Sequence, residues 1–244
     1  MKIAGIIPAR YGSSRFPGKP LAMIRGKSMI RRVYEQAAKS NSLNLVVVAT
    51  DDERIVKEVE SFGGKVMMTS PQHRSGTERC GEVILNLEED FDVAVNIQGD
   101  EPFIDPGKID LLCEMFKSED VDIATLSSDI EDNSELENPN IVKVVTALNG
   151  KALYFSRSVI PFLRSKPQGK SIGAFPYRRH VGIYAYRCDV LRKIVELGES
   201  ALEKAELLEQ LRWLENSFSI YVSETQSGGF AIDTPEDLSK IINT

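Results

Sequence analysis

A strongly basic loop follows the first apolar run of the chain. The run "KIAGIIP" leads into a segment rich in glycine, serine and proline that carries Arg10, Arg15 and Lys19. Backbone N–H groups freed by Gly12 and Gly18, together with these cations, could wrap a polyphosphate as glycine-rich loops do. The chain contains neither G-x-x-x-x-G-K-[ST] nor G-x-G-x-x-G. The residues alone therefore leave phosphate binding and a solvated basic turn as alternatives.

Two aspartates further along the chain could bind a metal ion. Asp100 lies in "NIQGDEP", where a buried strand runs into polar residues. Magnesium is usually held by one or two carboxylates together with substrate phosphates. Asp233 precedes a helix start in which Thr234 and Asp237 do the capping, so Asp233 is available as a second ligand. A turn-capping Asp100 and a solvated Asp233 are the alternatives.

The segment "HRSGTER", residues 73–79, brings further cations to the end of the third predicted strand. Arg74 and Ser75 could meet a base or a phosphate, although Ser75 with Glu78 also fits a capping box. Arg79 falls in the first helical turn, where a cation opposes the helix dipole, so its position calls for a nearby anion.

Two later strands also carry polar side chains. Arg157 follows the apolar strand "KALYFS", and period-two alternation puts His180 and Tyr184 on one face of the strand "RHVGIYAYR". His180 is the only histidine that we expect in a binding pocket. A hydrogen-bonded structural histidine is the alternative interpretation.

The elements that must position these residues follow from the apolar pattern. Continuous apolar runs alternate with amphipathic stretches up to about residue 130, which predicts a parallel sheet covered by helices on both faces. Ligands of such sheets bind outside the carboxyl ends of the strands. We therefore expect four polar segments to collect at one edge of the sheet: the basic loop, "NIQGDEP", the segment that carries Asp233, and "HRSGTER".

Local patterns predict how some elements begin and turn. Thr50, three residues before Glu53, predicts a capping box at one helix start. Asn149-Gly150 predicts a hairpin turn. The stretch "SALEKAELLEQLRWLEN" predicts one long helix, opened by a capping box of Ser200 with Glu203.

The bulk composition is that of an ordinary globular protein of 244 residues, 42% hydrophobic and 27% charged. We expect one domain over residues 1–244, with a β-rich insertion near residues 140–190. The formal net charge of −6 argues against a nucleic-acid partner, and no apolar run suits a secretory signal or a membrane span. Three scattered cysteines fit reduced thiols in a cytoplasmic protein and argue against a disulfide framework or a zinc site.

Eight motifs occur in a set order along the chain: "IIPARYGSSRFPGKPL", "VVATDDERI", "SGTERC", "NIQGDEP", "KALYFSRSVIP", "HVGIYAY", "LEQLRWLE" and "DTPEDL". Together they resemble the 3-deoxy-manno-octulosonate cytidylyltransferases, the CMP-Kdo synthetase family, over essentially the whole chain. The resemblance implies an α/β protein with a Rossmann-like nucleotidyltransferase fold, in which a mostly parallel sheet has helices on both faces and a β-rich insertion serves dimerisation. It implies transfer of CMP from CTP to the anomeric hydroxyl of Kdo, with release of pyrophosphate, for lipopolysaccharide biosynthesis.

The same resemblance implies a magnesium cofactor, a cytoplasmic homodimer and roles for individual residues. The residues implied for nucleotide binding are Arg10, Arg15, Lys19, Arg74 and Ser75. Those implied for catalysis are Lys19, Arg10 and Asp100, and those implied for the metal are Asp100 and Asp233. The residues implied around the acidic sugar are Arg79, Gln98, Arg157, His180, Tyr184, Glu209 and Gln210.

Other functions remain as alternatives to this one. A cytidylyltransferase for a closely related acidic sugar, such as the 8-amino form of Kdo, fits the same residues. A nucleotide-binding regulator on the same fold would not need both Asp100 and Asp233. A nicotinamide dehydrogenase would need the missing G-x-G-x-x-G signature. We expect small-molecule substrates, with neither a nucleic acid nor a membrane as partner.

Overall fold

The computed structural model of the protein describes residues 1–12, 16–164, 172–226 and 231–242. Its strands are β1 (Ile3–Ala9), β2 (Met23–Ile24), β3 (Lys27–Ser28), β4 (Leu45–Thr50), β5 (Val66–Met68), β6 (Val93–Asn96), β7 (Ile123–Asp129), β8 (Lys143–Thr146), β9 (Ala152–Ser156), β10 (Arg178–Arg187) and β11 (Ile220–Glu224). Its helices are α1 (Met29–Ala37), α2 (Glu53–Ser61), α3 (Gly76–Asn86), α4 (Pro106–Glu114), α5 (Asn133–Glu137), α6 (Cys188–Ile194), α7 (Ala201–Glu206), α8 (Glu209–Glu215) and α9 (Pro235–Ile242). Short 3₁₀ helices span Lys19–Leu21 and Met115–Lys117. Among the described residues, no helix has both the length and the apolar character that crossing a membrane requires.

The chain divides into two compact units. Unit 1 comprises Met1–Glu114, Ala185–Val195 and Gly228–Thr244, and unit 2 comprises Met115–Tyr184 and Glu196–Ser227. Strands β8, β9 and β10 fall in the range that the sequence predicts to be β-rich. The expected single domain with an insertion near residues 140–190 stays a prediction.

Four parallel strands of unit 1 follow one another in the order β6-β1-β4-β5. The register pairs Ile6 of β1 with Val47 of β4 and with Asn96 of β6, and Val48 of β4 with Val66 of β5. Strands β1, β4 and β6 are buried along almost their whole length. The predicted α/β class, a mostly parallel sheet flanked by helices, is therefore confirmed. Because these four strands run the same way, the loops that follow them open at one edge of the sheet.

A small apolar cluster anchors the segment before α9. Ile232 is fully buried and packs in a cluster with Ile24 of β2 and Met29 of α1. Burial of an isoleucine side chain is worth about 1.5–3 kcal/mol. The cluster therefore fixes the backbone next to Asp233 on unit 1.

Unit 2 combines a parallel pair of strands with antiparallel ones. Strands β7 and β11 are parallel, with Ile123 opposite Ile220, and β8 pairs antiparallel with both β9 and β10. The β8–β9 connection turns at Gly150, whose φ of 82° lies in the left-handed region that favours glycine. The hairpin predicted from Asn149-Gly150 is therefore confirmed.

The prediction of one long helix from Ser200 is wrong. Leu207 adopts a left-handed conformation, φ 53°, and ends α7, so that α8 begins separately. The guanidinium of Arg157 donates to the carbonyls of Glu206 and Leu207 at 2.7 and 3.3 Å. These bonds satisfy carbonyls that a helix end leaves without an intrahelical partner. The capping box of Ser200 with Glu203 at the start of α7 is confirmed.

The capping box predicted for Thr50 and Glu53 is also wrong. Helix α2 begins at Glu53, so the residue directly before it, Asp52, is the N-cap. Its carboxylate accepts a hydrogen bond from the backbone N–H of Arg54 at 2.9 Å. The Thr50 hydroxyl instead accepts from the backbone N–H of Asp52 at 3.2 Å.

Candidate active site

One cavity of about 260 Å³ opens at the carboxyl edge of the unit 1 sheet. Its lining residues are Pro8, Ala9, Arg10, Lys19, Pro20, His73, Arg74, Ser75, Gly76, Arg79, Gln98, Gly99, Asp100 and Asp233. All residues predicted for the nucleotide and the metal are among them except Arg15, which lies outside the described residues. Arginines and lysine outnumber carboxylates in this lining, although the whole chain has a net charge of −6. The cavity therefore favours an anionic ligand.

The basic loop after β1 is closed at its base by a backbone hydrogen bond. The N–H of Gly18 donates to the carbonyl of Tyr11 at 2.9 Å. Gly18 has a φ of 72°, a conformation that a side chain would disfavour. The guanidinium of Arg54 lies over the Tyr11 ring. Lys19, which begins the next 3₁₀ helix, thus has a fixed backbone beside the cavity.

The ammonium group of Lys19 contacts both predicted metal ligands. Its Nζ is 2.8 Å from Oδ2 of Asp100 and 3.4 Å from Oδ1 of Asp233. The side chain of Lys19 is 16% exposed, against 25% for Asp100 and 45% for Asp233. Because one ammonium reaches both carboxylates, the two aspartates are close enough to share a single cation.

Backbone contacts bring the two aspartates to the same place. The N–H of Ile232 donates to the carbonyl of Asp100 at 2.9 Å. Oδ2 of Asp237 accepts from the backbone N–H groups of Asp233 and Thr234 at 3.4 and 3.2 Å. The Thr234 hydroxyl accepts from the N–H of Asp237 at 3.2 Å, which confirms the predicted cap. Thr234 thus caps α9, and the carboxylate of Asp233 contacts Lys19.

The turn that carries Gln98 and Asp100 passes close to β1. A Cβ atom on Gly99 would lie 2.8 Å from the carbonyl oxygen of Pro8. Real Cβ atoms do not come this close to a backbone oxygen. Glycine at this position therefore lets the chain leave β6 and present Gln98 and Asp100 on either side of it.

The N-terminus of α3 lies at the same cavity. The hydroxyl of Ser75, the N-cap, accepts from the N–H of Glu78 at 3.2 Å. The Glu78 carboxylate accepts from the N–H of Arg74 at 2.7 Å, so the capping box predicted for Ser75 and Glu78 is only partly formed. Ser75 and Gly76 line the cavity. Backbone N–H groups at a helix start suit a phosphate or another anion.

Arg79 is a buried cation in the cavity wall. It is 4% exposed, and its Nη1 donates to Oγ1 of Thr69. Its Nη2 lies 3.5 Å from Oδ1 of Asp51, an oxygen that is buried and has no hydrogen-bond partner among the described residues. A buried charge is costly without a partner of opposite sign. Asp51 therefore compensates the charge of Arg79.

Sequence reasoning missed His73, which also lines the cavity. Its Nε2 is hydrogen-bonded to Oε2 of Glu82, and its Nδ1 lies 3.7 Å from Oε2 of Glu78. The expectation that His180 would be the only histidine in a binding pocket is therefore wrong. The signal that could have placed His73 at the cavity is its position directly before Arg74, a residue predicted for the nucleotide.

The rings of two residues predicted for the sugar contact each other in unit 2. The ring centroids of His180 and Tyr184 lie 5.2 Å apart, and Trp213 packs against Tyr184 at 5.1 Å. Nε2 of His180 is 3.0 Å from the Thr125 hydroxyl. Burial lowers the pKa of His180 from 6.5 to about 3, so the imidazole is neutral near pH 7. These contacts support the alternative of a structural histidine.

Glu209 and Gln210 begin α8 in the same unit. Burial raises the pKa of Tyr184, and the nearby charge of Glu209 raises it further. Gln210 is buried. The structure thus places Glu209 near the ring of Tyr184, while the sugar contacts of these residues stay predictions.

Arg157 holds several backbone carbonyls of unit 2. Besides the carbonyls of Glu206 and Leu207, its guanidinium donates to the carbonyl of Pro139 at 3.0 Å. The backbone N–H of Arg157 donates to the Glu206 carboxylate at 2.9 Å. The predicted contact of Arg157 with the sugar stays a prediction, since the structure shows a role in joining chain segments.

The donor set at Asp100 and Asp233 fits a magnesium ion that arrives with a phosphate ligand. Among the described residues, no group of three or more histidine, cysteine, aspartate or glutamate side chains could hold a metal by itself. Magnesium does not need such a group when phosphate oxygens and water complete its coordination. Two carboxylates that reach one cation are sufficient protein ligands in that case.

The chain is similar to known proteins over its full length. The cytidylyltransferase family model matches residues 4–224. The 3-deoxy-manno-octulosonate cytidylyltransferase of Parabacteroides distasonis is 52% identical over 246 residues, which cover 99% of this chain and 97% of that protein. Its counterpart in Thermodesulfovibrio yellowstonii is 50% identical over 250 residues, with 98% and 97% covered.

Solved structures show the same likeness. The structure of CMP:2-keto-3-deoxy-manno-octonic acid synthetase complexed with CTP has a TM-score of 0.92 and 44% identity, covering 100% of this chain and 98% of that one. A cytidylyltransferase from Leptospira borgpetersenii has a TM-score of 0.64 and 17% identity, covering 99% and 85%, and shares the fold alone. The Rossmann-like nucleotidyltransferase fold expected from the sequence is confirmed.

Proposed function

We propose that this chain, which belongs to the 3-deoxy-manno-octulosonate cytidylyltransferase family, transfers CMP from CTP to the anomeric hydroxyl of 3-deoxy-manno-octulosonate (Kdo). The products are CMP-Kdo and pyrophosphate. The observation that carries this proposal to particular residues is the contact of Lys19 with both Asp100 and Asp233 in one cation-rich cavity. A triphosphate and a divalent ion are the ligands that such a cavity suits.

The reaction is an in-line attack of the sugar hydroxyl on the α-phosphorus of CTP, with pyrophosphate as the leaving group. Catalysis of such a transfer is mostly positioning and neutralisation of charge on the phosphate oxygens. Arg10 and Lys19 supply positive charge from the loop after β1, and the start of α3 supplies N–H donors. Arg74 and Ser75 contact the nucleotide.

A dependence on magnesium belongs to this proposal, with Asp100 and Asp233 as the protein ligands. A bound magnesium ion supplies positive charge to phosphate oxygens and acidity to an oxygen that it coordinates. Asp100→Ala should lower kcat by about 100-fold or more, the range found when one preorganised electrostatic contact is removed. Stopped-time pyrophosphate assays give kcat, and circular dichroism checks that the variant is folded. Near-normal turnover in a folded variant would contradict the metal assignment.

The substrate assignment is tested by pyrophosphate release across a panel of substrates. We expect turnover with CTP and little with UTP, GTP or ATP, in each case with Kdo as acceptor. A higher kcat/KM for the 8-amino form of Kdo than for Kdo itself would favour the alternative sugar. Turnover without any acidic sugar, or with none of the four nucleotides, would contradict the proposal.

We further propose that the protein is a cytoplasmic homodimer that serves lipopolysaccharide biosynthesis. The predicted dimerisation region of unit 2 exposes large apolar side chains, which supports an interface there. These side chains are Leu148, Leu153 and Phe162. The cysteines are buried and free of disulfides, which fits a reducing compartment.

A further inference from the structure

We infer that Lys19 occupies the cation position between Asp100 and Asp233 in the free protein and leaves it when a nucleotide and a divalent ion bind together. The inference rests on the proposed function, in which Lys19 binds the triphosphate and the two aspartates hold the ion. It starts from the geometry of the cavity, where Nζ of Lys19 lies 2.8 and 3.4 Å from the two carboxylates.

The charges of these three side chains exclude simultaneous occupancy by lysine and metal. Without a cation, the carboxylates of Asp100 and Asp233 would repel each other, and the ammonium of Lys19 relieves that repulsion. A divalent ion bound to the same two carboxylates would lie within a few ångströms of the ammonium. Like charges at that distance repel strongly in a partly buried site. Metal binding to both aspartates therefore requires the ammonium to move away.

The ammonium can move without a change in the backbone. The hydrogen bond from Gly18 to Tyr11 and the 3₁₀ helix fix the main chain of Lys19. Its four-carbon side chain remains free to rotate about its staggered torsions. Arg10 and Arg74 line the same cavity and mark where an anion is attracted. A triphosphate there offers the ammonium a new partner of opposite charge.

This exchange makes the binding of nucleotide and metal cooperative. The nucleotide draws Lys19 away and uncovers the two carboxylates, so the metal then binds without displacing a cation. Coupling between two ligands is reciprocal, so the metal must strengthen nucleotide binding by the same factor. The free protein should bind a divalent ion alone only weakly.

Binding of Mn²⁺ to the full-length protein without nucleotide tests the inference, with the free ion measured by electron paramagnetic resonance. Lys19→Met should bind Mn²⁺ about tenfold more tightly than the wild type, because a competing unit charge is gone. Lys19→Arg keeps the charge and should leave the affinity near that of the wild type. Lys27→Met is the matched control, since Lys27 forms a comparable pair with Glu35 at 2.6 Å outside the cavity.

The same variants are then titrated with CTP, with a protein-free CTP sample as the reference for Mn²⁺ held by the nucleotide itself. In the wild type, CTP should raise the affinity for Mn²⁺ above that reference. In Lys19→Met this increase should be smaller, and calorimetry should show weaker binding of CTP. Lys19→Met thus strengthens the binding of Mn²⁺ alone and weakens the binding of CTP. A damaged fold would weaken both.

Two results would overturn the inference while leaving the proposed function intact. The first is a Lys19→Met or Lys19→Gln protein that binds Mn²⁺ alone no more tightly than the wild type, although CTP still recruits Mn²⁺ to the wild type. Lys19→Gln serves as the second neutral variant in case Lys19→Met does not fold. The second is a gain in Mn²⁺ affinity that survives when Asp100→Asn is added. If CTP recruits no Mn²⁺ to the wild type at all, the metal-dependent function fails and the inference fails with it.

Discussion

At the residue scale, charged side chains of the cavity are held by side chains of opposite charge. Lys19 contacts Asp100, and Arg79 is compensated by Asp51. The pair with Asp51 keeps the Arg79 guanidinium in a defined position before a ligand arrives, which lowers the entropy lost on binding. The pair with Asp100 instead gives Lys19 a partner that a triphosphate must replace.

The Asp51–Arg79 pair gives a test of whether Arg79 serves the sugar. Asp51→Asn keeps the size of the side chain but removes its charge, so the guanidinium loses the partner that orients it. We expect the KM for Kdo to rise about tenfold with a smaller change in kcat. The reason is that a guanidinium out of position loses most of its charged hydrogen bond to the sugar, and such a bond is worth about 1.5–3 kcal/mol. In an Arg79→Gln background the same substitution should have no further effect on KM, which steady-state kinetics on the four proteins will show.

Asp110→Asn is the control for Asp51→Asn. The Asp110 carboxylate accepts hydrogen bonds from the Ser40 hydroxyl and from the N–H of Ser42, and it does not line the cavity. This variant should lower the melting temperature without changing either KM. An Asp51→Asn protein that behaves in the same way would show that Asp51 is only structural, and a rise confined to the KM for CTP would assign Arg79 to the nucleotide.

His180 makes a contribution to stability that depends on pH. Its pKa is about 3 in the folded protein because of burial, against an ordinary value of 6.5. Below pH 6.5 the unfolded chain therefore binds a proton that the folded protein does not take up until about pH 3. Within this window the free energy of unfolding should decrease as the pH is lowered, by up to about 1.4 kcal/mol per pH unit. Above pH 6.5 the contribution is constant.

Urea unfolding at several pH values measures this contribution as a difference between the wild type and His180→Gln. The variant should lose less stability than the wild type between pH 6.5 and pH 4. Parallel curves for the two proteins would show that the imidazole is not held neutral by burial.

At the element scale, the ends of strands and the starts of helices carry the cavity. The loop after β1, the turn after β6 and the start of α3 each contribute side chains to it. The strands β1, β4 and β6 were predictable because their burial on both faces leaves continuous apolar runs in the sequence. The start of α3 was predictable from Ser75, whose hydroxyl has a local capping partner.

The break between α7 and α8 could not be predicted in the same way. The local pattern from Ser200 onward is helical throughout, and Leu207 is not a residue type that marks a helix end. Its left-handed conformation is accompanied by hydrogen bonds from Arg157, which is distant in the sequence. The meeting of Asp100 and Asp233 was expected from the sequence, but the backbone bond from Ile232 to Asp100 that accompanies it joins distant segments and could not be predicted.

The conformation of Leu207 predicts the effect of a glycine at that position. Leu207→Gly should raise the free energy of unfolding by about 0.5–1 kcal/mol, because glycine adopts a positive φ without the steric cost that a Cβ brings. Leu207 is 77% exposed, so little apolar burial is lost. Leu202→Gly, inside α7, is the matched control and should lower stability by about 1 kcal/mol. Equal losses in the two variants, measured by urea unfolding, would contradict this account of the break.

At the scale of the whole molecule, the acidic chain concentrates cations where its ligand is anionic. Sequence reasoning located this contrast, since Arg10, Lys19 and Arg74 lie in short segments at strand ends and the net charge of −6 is otherwise spread along the chain. It did not locate Asp51 and His73, although both lie in segments that it singled out, because no local pattern gives either residue a role. Their contribution arises from partners brought together only by the fold.

The exposed apolar side chains of unit 2 bear on the oligomeric state of the protein. Leu153 is 61% exposed on β9, and a dimer interface there would bury it. Leu153→Asp would place a charge in that interface without a partner, so dissociation is favoured over burial. Light scattering after gel filtration should give twice 27.2 kDa for the wild type and 27.2 kDa for this variant.

Leu85→Asp is the matched control for Leu153→Asp. Leu85 is 63% exposed on α3 of unit 1, outside the predicted dimerisation region, so an aspartate there remains in contact with water. This variant should keep the mass of the wild type. A wild type of 27.2 kDa would contradict the homodimer. If both variants kept the dimeric mass, an interface would exist elsewhere, and the exposed leucine of β9 would need another explanation.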